Sequence, residues 1–408
     1  MLRALCLSSL VAAAGCDPDP DKLSAEECAS PEVALFGVNI DPANPLAAPT
    51  AAEVHELGAR WVRFAYKGEK GFAFYQARIR DYRAAGIKVL LNVSYEALRL
   101  PKPPHDATAG EWTRYGQAFV WAAGEVAGRI GSGVDAYEVW NEPDQMPSSA
   151  RNPTCACDLT AGRCDGTCTC DGQCYDPFVP PEVFGPMADQ AGRLLAATGA
   201  PVVLGGFSSG QPDFVSDTIA SAGGLAPFRG IAIHPYGADW LPDNDLIDKL
   251  ASYRFDGRAV WLTEIGVAAD PARVAPYLEH VYQTILDGGY AGEVVPVVFW
   301  FAWSDGNEAG FGLLDSKGKP NATWAAYQRM APAAHGRCAG AGLAPPTAAD
   351  GCGDRVCQGS ETVESCGIDC GCSAPSACGT IAPFGCYCDA TCAERGDCCS
   401  DVGAACGG

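Results

Sequence analysis

The chain predicts an α/β fold, a (β/α)8 or TIM barrel, on three observations. Eight short apolar runs alternate with helical patterns between Val33 and Pro332, the rhythm of a parallel sheet with helical crossovers. The runs recur roughly every 25–30 residues, about the spacing of one strand–helix unit in an eight-unit barrel. No glycine-rich phosphate loop follows the first run, so the alternative of an open doubly wound sheet lacks its usual signature.

In chain order the predicted strands are Ala34–Ile40, Arg60–Ala65, Lys88–Val93, Ala136–Trp140, Pro201–Gly206, Gly230–His234, Ala259–Glu264 and Val294–Phe301. Thr50 with Glu53, and Thr108 with Glu111, are capping boxes ahead of two helices. Pro180-Pro181 opens another, and Gly86, Gly199 and Gly288 stand where helices should stop. Two intervals depart from the common spacing. The longer follows the fourth strand and holds Cys155, Cys157, Cys164, Cys168, Cys170 and Cys174. Three local disulfides are the expected arrangement there, with a zinc cluster as the alternative. As a loop on the strand-end face, this insertion should overhang an active site and wall a cleft.

The chain has 408 residues and 22 cysteines, with 28 Lys and Arg against 49 Asp and Glu, a net charge of −21. That charge disfavours a nucleic-acid partner, which would need a basic footprint. No run of eighteen apolar residues suggests a membrane span, and the cysteine count points to an oxidising compartment. Residues 1–15 read as a secretory signal. Ala13-Ala14-Gly15-Cys16 is similar to a bacterial lipobox, which would lipidate Cys16, while Ala12-Ala13-Ala14 also fits ordinary cleavage. Removing Cys6 and lipidating Cys16 leaves an even number of cysteines, which favours the lipoprotein reading. The expected location is therefore secreted or the bacterial cell envelope, with the membrane reached only through a lipid. Residues 16–32 form an acidic tether, 33–335 the barrel domain with its Cys-rich insertion at 152–179, 336–371 a linker with a four-cysteine module, and 372–408 a last small module.

Two glutamates carry the chemistry. The fourth strand runs Tyr137-Glu138-Val139-Trp140-Asn141-Glu142-Pro143 and the seventh Trp261-Leu262-Thr263-Glu264-Ile265-Gly266. Strand alternation predicts that Glu138, Trp140 and Glu142 share a face while Asn141 points the other way, unless the strand end bends. Glu142 and Glu264 both fall where a strand becomes its loop, at the rim where barrel active sites form. A convergent carboxylate pair is what glycosidic hydrolysis requires: one group protonates the departing oxygen, the other attacks or activates water.

These two segments resemble the acid/base and nucleophile motifs of clan A glycoside hydrolases, families 5 and 39 most nearly, over roughly Phe36 to Met330. The resemblance implies a retaining double displacement on an extracellular β-linked poly- or oligosaccharide, with Glu142 as general acid/base and Glu264 as nucleophile. It also implies that Asn141 bonds the sugar 2-hydroxyl, that Arg63 lies near the nucleophile, and that Tyr236 of His234-Pro235-Tyr236-Gly237 contacts the nucleophile. His234 belongs to the same segment, as a site residue or a structural histidine. Trp300, or else Trp303, matches the aromatic platform under the sugar. Many family 5 members place a histidine at the end of the third strand, where this chain has Leu91-Asn92-Val93-Ser94-Tyr95; Asn92 is there a polar substrate contact or a turn residue. Neither a metal nor a nucleotide cofactor is implied. A non-catalytic glycan- or protein-binding surface protein on the same barrel is the alternative.

Beyond His335 apolar periodicity gives way to Cys, Gly and Pro, and segments this small need covalent staples. Cys352, Cys357, Cys366 and Cys370 make one unit. Cys372, Cys378, Cys386, Cys388, Cys392, Cys398, Cys399 and Cys406 make another, and its Cys386-Tyr387-Cys388-Asp389 and Cys398-Cys399-Ser400-Asp401 look like a somatomedin B-like domain. That likeness implies a protein partner; a protease-resistant cap is the alternative. Cys28 and Cys338, which flank the barrel, remain and are predicted to pair.

Overall fold

The computed structural model describes residues 22–98, 100, 102–103, 107–145, 177–208, 211–237 and 243–340. Its strands are β1 (Phe36–Asn39), β2 (Trp61–Ala65), β3 (Lys88–Val93), β4 (Ala136–Val139), β5 (Val202–Phe207), β6 (Gly230–Ile233), β7 (Ala259–Ile265) and β8 (Val298–Trp300). They pair in parallel in chain order, and β8 pairs with β1 to close the barrel. Closure excludes the open-sheet alternative. Strands buried on both faces need continuous apolar runs, and β5, Val202–Phe207, is buried at every position.

The helices are α1 (Ala25–Cys28), α2 (Pro31–Ala34), α3 (Ala51–Leu57), α4 (Phe72–Ala84), α5 (Ala109–Ile130), α6 (Pro181–Ala196), α7 (Pro212–Ala222), α8 (Asp243–Ser252), α9 (Pro271–Asp287) and α10 (Ala322–Met330). Both predicted capping boxes form, Thr50 and Glu53 on α3 and Thr108 and Glu111 on α5, each bonding the other's backbone N–H. Pro181 opens α6 at a position whose N–H would have no helical partner.

The eighth strand is shorter than its apolar run. The Val295 N–H bonds back to the Tyr290 carbonyl and the Gly292 N–H to the Val295 carbonyl, so residues 290–295 turn and the strand proper is Val298–Trp300.

Alternation sorts the side chains into two cores. Trp61, Leu90, Ala136, Val203, Ala232, Trp261, Val297 and Phe299 form a separate cluster inside the barrel, while the intervening positions pack against the helices. Trp61 meets Trp261 edge-to-face at 5.7 Å and Phe299 at 6.2 Å. Gly37 makes room for this plug, since a Cβ there would stand 2.7 Å from the Phe299 ring. With this layer filled, the polar side chains lie one layer up, toward the C-terminal ends of the strands.

Cys28 and Cys338 form a disulfide, Cα to Cα 5.8 Å, between α1 and the segment after α10. Both are buried with Val33 and Ala333. The predicted signal, Cys16, the insertion's cysteines and both C-terminal modules lie outside the described residues. Both flanks of the insertion are described: the Val179 N–H bonds the Pro143 carbonyl at 3.1 Å, so the returning chain docks beside Glu142. Among the described residues no helix is long and apolar enough to cross a membrane.

Candidate active site

Two irregularities aim the glutamates. On β7, Leu262 pairs with Val298 but Ile265 pairs with Trp300, so β7 spends one more residue than β8 over that stretch. Such a bulge breaks alternation: Leu262 and Ile265 both join the outer core, and Glu264 reaches the inward-facing Arg63. On β4 the break is at Trp140, whose φ of 77° ends the ladder, and Glu142 follows with φ 50°. Left-handed backbone at two non-glycine residues is strained and clusters at functional sites. Here it is held by the Trp140 N–H to Val93 O bond (2.8 Å) and the Glu142 N–H to Gly206 O bond (2.8 Å).

The bend corrects the expected face-sharing. Trp140 leaves the face of Glu138 and packs outward, its ring 4.8 Å from Phe119 and 6.1 Å from Phe184, with its indole N–H on the Pro177 carbonyl. Asn141 turns inward instead and accepts from Arg63 Nη2 at 2.9 Å.

Arg63 is the hub. Its Nε donates to Glu138 Oε2 at 2.5 Å, and its Nη1 donates to Glu264 Oε1 at 2.5 Å and to Asn39 Oδ1 at 2.8 Å. A buried charge is costly unless paired, and this guanidinium, 5% exposed, meets two carboxylates. Burial opposes its charge, but Glu138 and Glu264 outweigh that and raise its pKa. Tyr236 donates its hydroxyl to Glu264 Oε2. Burial, then the charges of Glu264 and Glu142, push that phenol well above its ordinary value, so it stays a donor.

His234 Nδ1 lies 3.1 Å from Glu142 Oε1 and 3.7 Å from Glu264 Oε2. Burial favours the neutral ring, yet the charge of Glu264 and the hydrogen bond and charge of Glu142 prevail, and its pKa is raised. Burial likewise works against ionised Glu264, but His234, Arg63 and the hydrogen bonds from Tyr236 and Arg63 hold its carboxyl below the usual value. One oxygen each of Glu142 and Glu264 and a ring nitrogen of His234 lie within 4.8 Å of one another. Three such atoms have metal-ligand chemistry, but Arg63, 2.5 Å from Glu264, already supplies positive charge and would repel a divalent cation. The arrangement suits proton transfer and nucleophilic attack.

The structure thus brings together Glu142, Glu264, Arg63, Asn141, His234 and Tyr236. Three of the candidate site residues spend their polar groups on the protein. Asn92, 1% exposed, donates to Glu138 Oε2 and to the Trp140 carbonyl, bracing the bend. Arg63 spends its donors on Glu138, Glu264, Asn39 and Asn141, and His234 is buried between carboxylates. Trp300 is no sugar platform. Val297 and Phe299 face the barrel interior, so Trp300 must point out, where it is fully buried, 6.2 Å from Tyr277 of α9. Trp303 is also core, against Trp324.

The alternation that buries Trp300 brings Phe301 to the site. It is half-buried and edge-on to Tyr236 at 5.7 Å and Phe311 at 5.4 Å, and counting by twos from Phe299 would have found it. Glu138 and Asn39 also belong to the constellation. An acid inside an apolar strand run was the signal for Glu138, since it demands a buried cation. Asn39 had no such signal.

The chain shares its fold with glycoside hydrolases of known structure. It is similar to the apo form of beta-glucosidase 1317 (TM-score 0.52, 16% identity, 69% of this chain and 86% of that one). It is likewise similar to xylanase B from Clostridium stercorarium F9 (TM-score 0.50, 12% identity, 72% and 96%). A family 39 glycoside hydrolase from Bacteroides cellulosilyticus WH2 matches with TM-score 0.49 and 18% identity over 75% of this chain, which spans 64% of that one's length. A sequence-family model described as the N-terminal domain of DUF1619 matches residues 142–194, beginning at Glu142. No curated protein matches.

Proposed function

We propose that this protein is a retaining glycoside hydrolase acting on a β-linked poly- or oligosaccharide. The observation that carries the reading is the approach of Glu142 and Glu264 oxygens to within 4.8 Å. Retaining enzymes hold their carboxyl groups about 5–5.5 Å apart, whereas inverting ones leave about 6.5–9.5 Å for a water.

Glu264, held ionised by Arg63, His234 and Tyr236, attacks the anomeric carbon while Glu142 protonates the departing oxygen. The resulting glycosyl ester on Glu264 is released by a water that Glu142 then deprotonates. Asn141, whose Oδ1 accepts from Arg63, takes the sugar 2-hydroxyl. Phe301 offers the aromatic surface.

The reaction is placed outside the cytoplasm, a reading supported by the Cys28–Cys338 disulfide. An aryl 2-deoxy-2-fluoro-β-glycoside tests the nucleophile. The expected result is a stable adduct of one sugar mass on the peptide holding Glu264. An adduct on another residue, or none while the parent glycoside is hydrolysed, would refute the assignment.

A further inference from the structure

Glu142 sits in backbone that its own sequence neighbour opposes. A residue before a proline favours extended conformations, yet Glu142, followed by Pro143, has φ 50°. Left-handed backbone at a non-glycine residue persists only where the surroundings over-determine it. Three main-chain bonds hold this turn. The Glu142 N–H meets the Gly206 carbonyl at 2.8 Å, the Gln145 N–H the Glu142 carbonyl at 3.0 Å, and the Val179 N–H the Pro143 carbonyl at 3.1 Å.

A buried acid that takes no part in the proposed chemistry completes the hold. Asp144 is fully buried and grips one residue with both carboxyl oxygens. Its Oδ1 accepts from the Ser208 N–H at 2.8 Å and its Oδ2 from the Ser208 hydroxyl at 2.8 Å. Its carbonyl accepts from Gln211 Nε2 at 2.9 Å, and the Gln211 N–H donates to the Tyr253 hydroxyl at 3.0 Å, at the end of α8. Residues 142 and 144 are thus tied to residues 206 and 208, and the chain leaving β4 is locked beside the chain leaving β5. The Asp144 side chain supplies the acceptor that a ladder carbonyl offers in a regular strand pair.

We propose that Asp144 is a positioning residue for Glu142: its clamp on Ser208 fixes the place from which the Glu142 carboxyl meets the departing oxygen. The role assigned to Glu142 rests on the glycosidase reading above. Asp144 acts only through the backbone it holds. A misplacement of about 1 Å in a reacting group costs on the order of 100-fold in rate, and only a step that needs the proton feels a displaced general acid.

The test uses the full chain and compares kcat/KM on two aryl β-glycosides of one sugar. A 2,4-dinitrophenyl glycoside releases a phenolate that departs without a proton, whereas a phenyl glycoside needs the acid. The sugar is whichever of glucose, xylose, mannose or their β-linked disaccharides the parent chain turns over fastest. Asp144→Ala should lower kcat/KM about 100-fold on the phenyl glycoside and by less than about fivefold on the dinitrophenyl one. The ratio of the two rates on one preparation cancels any loss of folded protein. Asparagine keeps an acceptor for the Ser208 N–H and gains a donor for its hydroxyl, so Asp144→Asn should restore the phenyl rate to within about tenfold of the parent. Ser208→Ala, which removes one of the two bonds, should fall between. A ratio that Asp144→Ala leaves at the parental value, or a phenyl deficit that Asp144→Asn fails to repair, overturns the inference and leaves the glycosidase reading standing. A parent chain that hydrolyses none of these glycosides, with no labelling by the fluorosugar, overturns both.

Discussion

At the scale of single residues, the site is an electrostatic arrangement around Arg63. It answers Glu138 on one side and Glu264 on the other, so the depressed pKa of Glu264 depends on a buried network. Glu138→Gln tests this without changing shape. Removing the Glu138 charge removes a repulsion on Glu264 and frees Arg63 to favour its ionisation, so the acidic limb of the pH–rate profile should move to lower pH. Turnover should fall roughly 10–100-fold as the guanidinium loses one of its anchors, an effect of about 1.4–2.8 kcal/mol. An unmoved acidic limb would place Glu138 outside the network. The sign for stability follows from the same shift. A carboxyl with a lowered folded-state pKa contributes stability that is present above the unfolded value, about 4, and is lost as pH falls through the folded value. Thermal melts should therefore show Glu264→Gln losing less stability than the parent chain on acidification below that range.

At the scale of elements, the strand ends decide which side chains meet. Gly206 on β5 has φ 128°, and a Cβ there would stand 2.9 Å from His234 Nε2 and 3.0 Å from Glu138 Oε1. Its carbonyl also accepts the Glu142 N–H. Gly206→Ala should thus cost about 1–3 kcal/mol of stability, as strained backbone does. It should lower kcat by at least tenfold through displaced Glu142; a variant with parental kcat would show that this contact does not position the acid. The same strand ends show where sequence reading succeeds and stops. The alternation of apolar runs with capped helices placed all eight strands, because burial and capping are local signals. The bend at Trp140 and the bulge at Glu264 are set by contacts across the barrel, which no local pattern carries. Trp300 is not the platform that the family likeness implies, because the two-residue period of β8 turns it into the outer core and brings Phe301 to the site.

At the scale of the whole molecule, the disulfide joins residues 310 positions apart, before the first barrel strand and after α10. Closing so long a loop restricts the unfolded chain by as much as roughly 5–6 kcal/mol in the entropic account. The paired variant Cys28→Ser with Cys338→Ser should therefore melt lower by about 10 °C or more. Because the bond lies far along the chain from both Glu142 and Glu264, kcat below the transition should stay within about twofold. An unchanged melting temperature would mean that packing of Val33 and Ala333 alone secures this junction.

The barrel's chemistry is tested most directly by watching the first sugar released. Proton NMR of a hydrolysis, recorded before the product mutarotates, reads the anomeric configuration at the cleaved bond. Two carboxylates this close leave no room for water beneath the ring, so a β-glycoside should yield the β-anomer first. Initial release of the α-anomer would contradict the account.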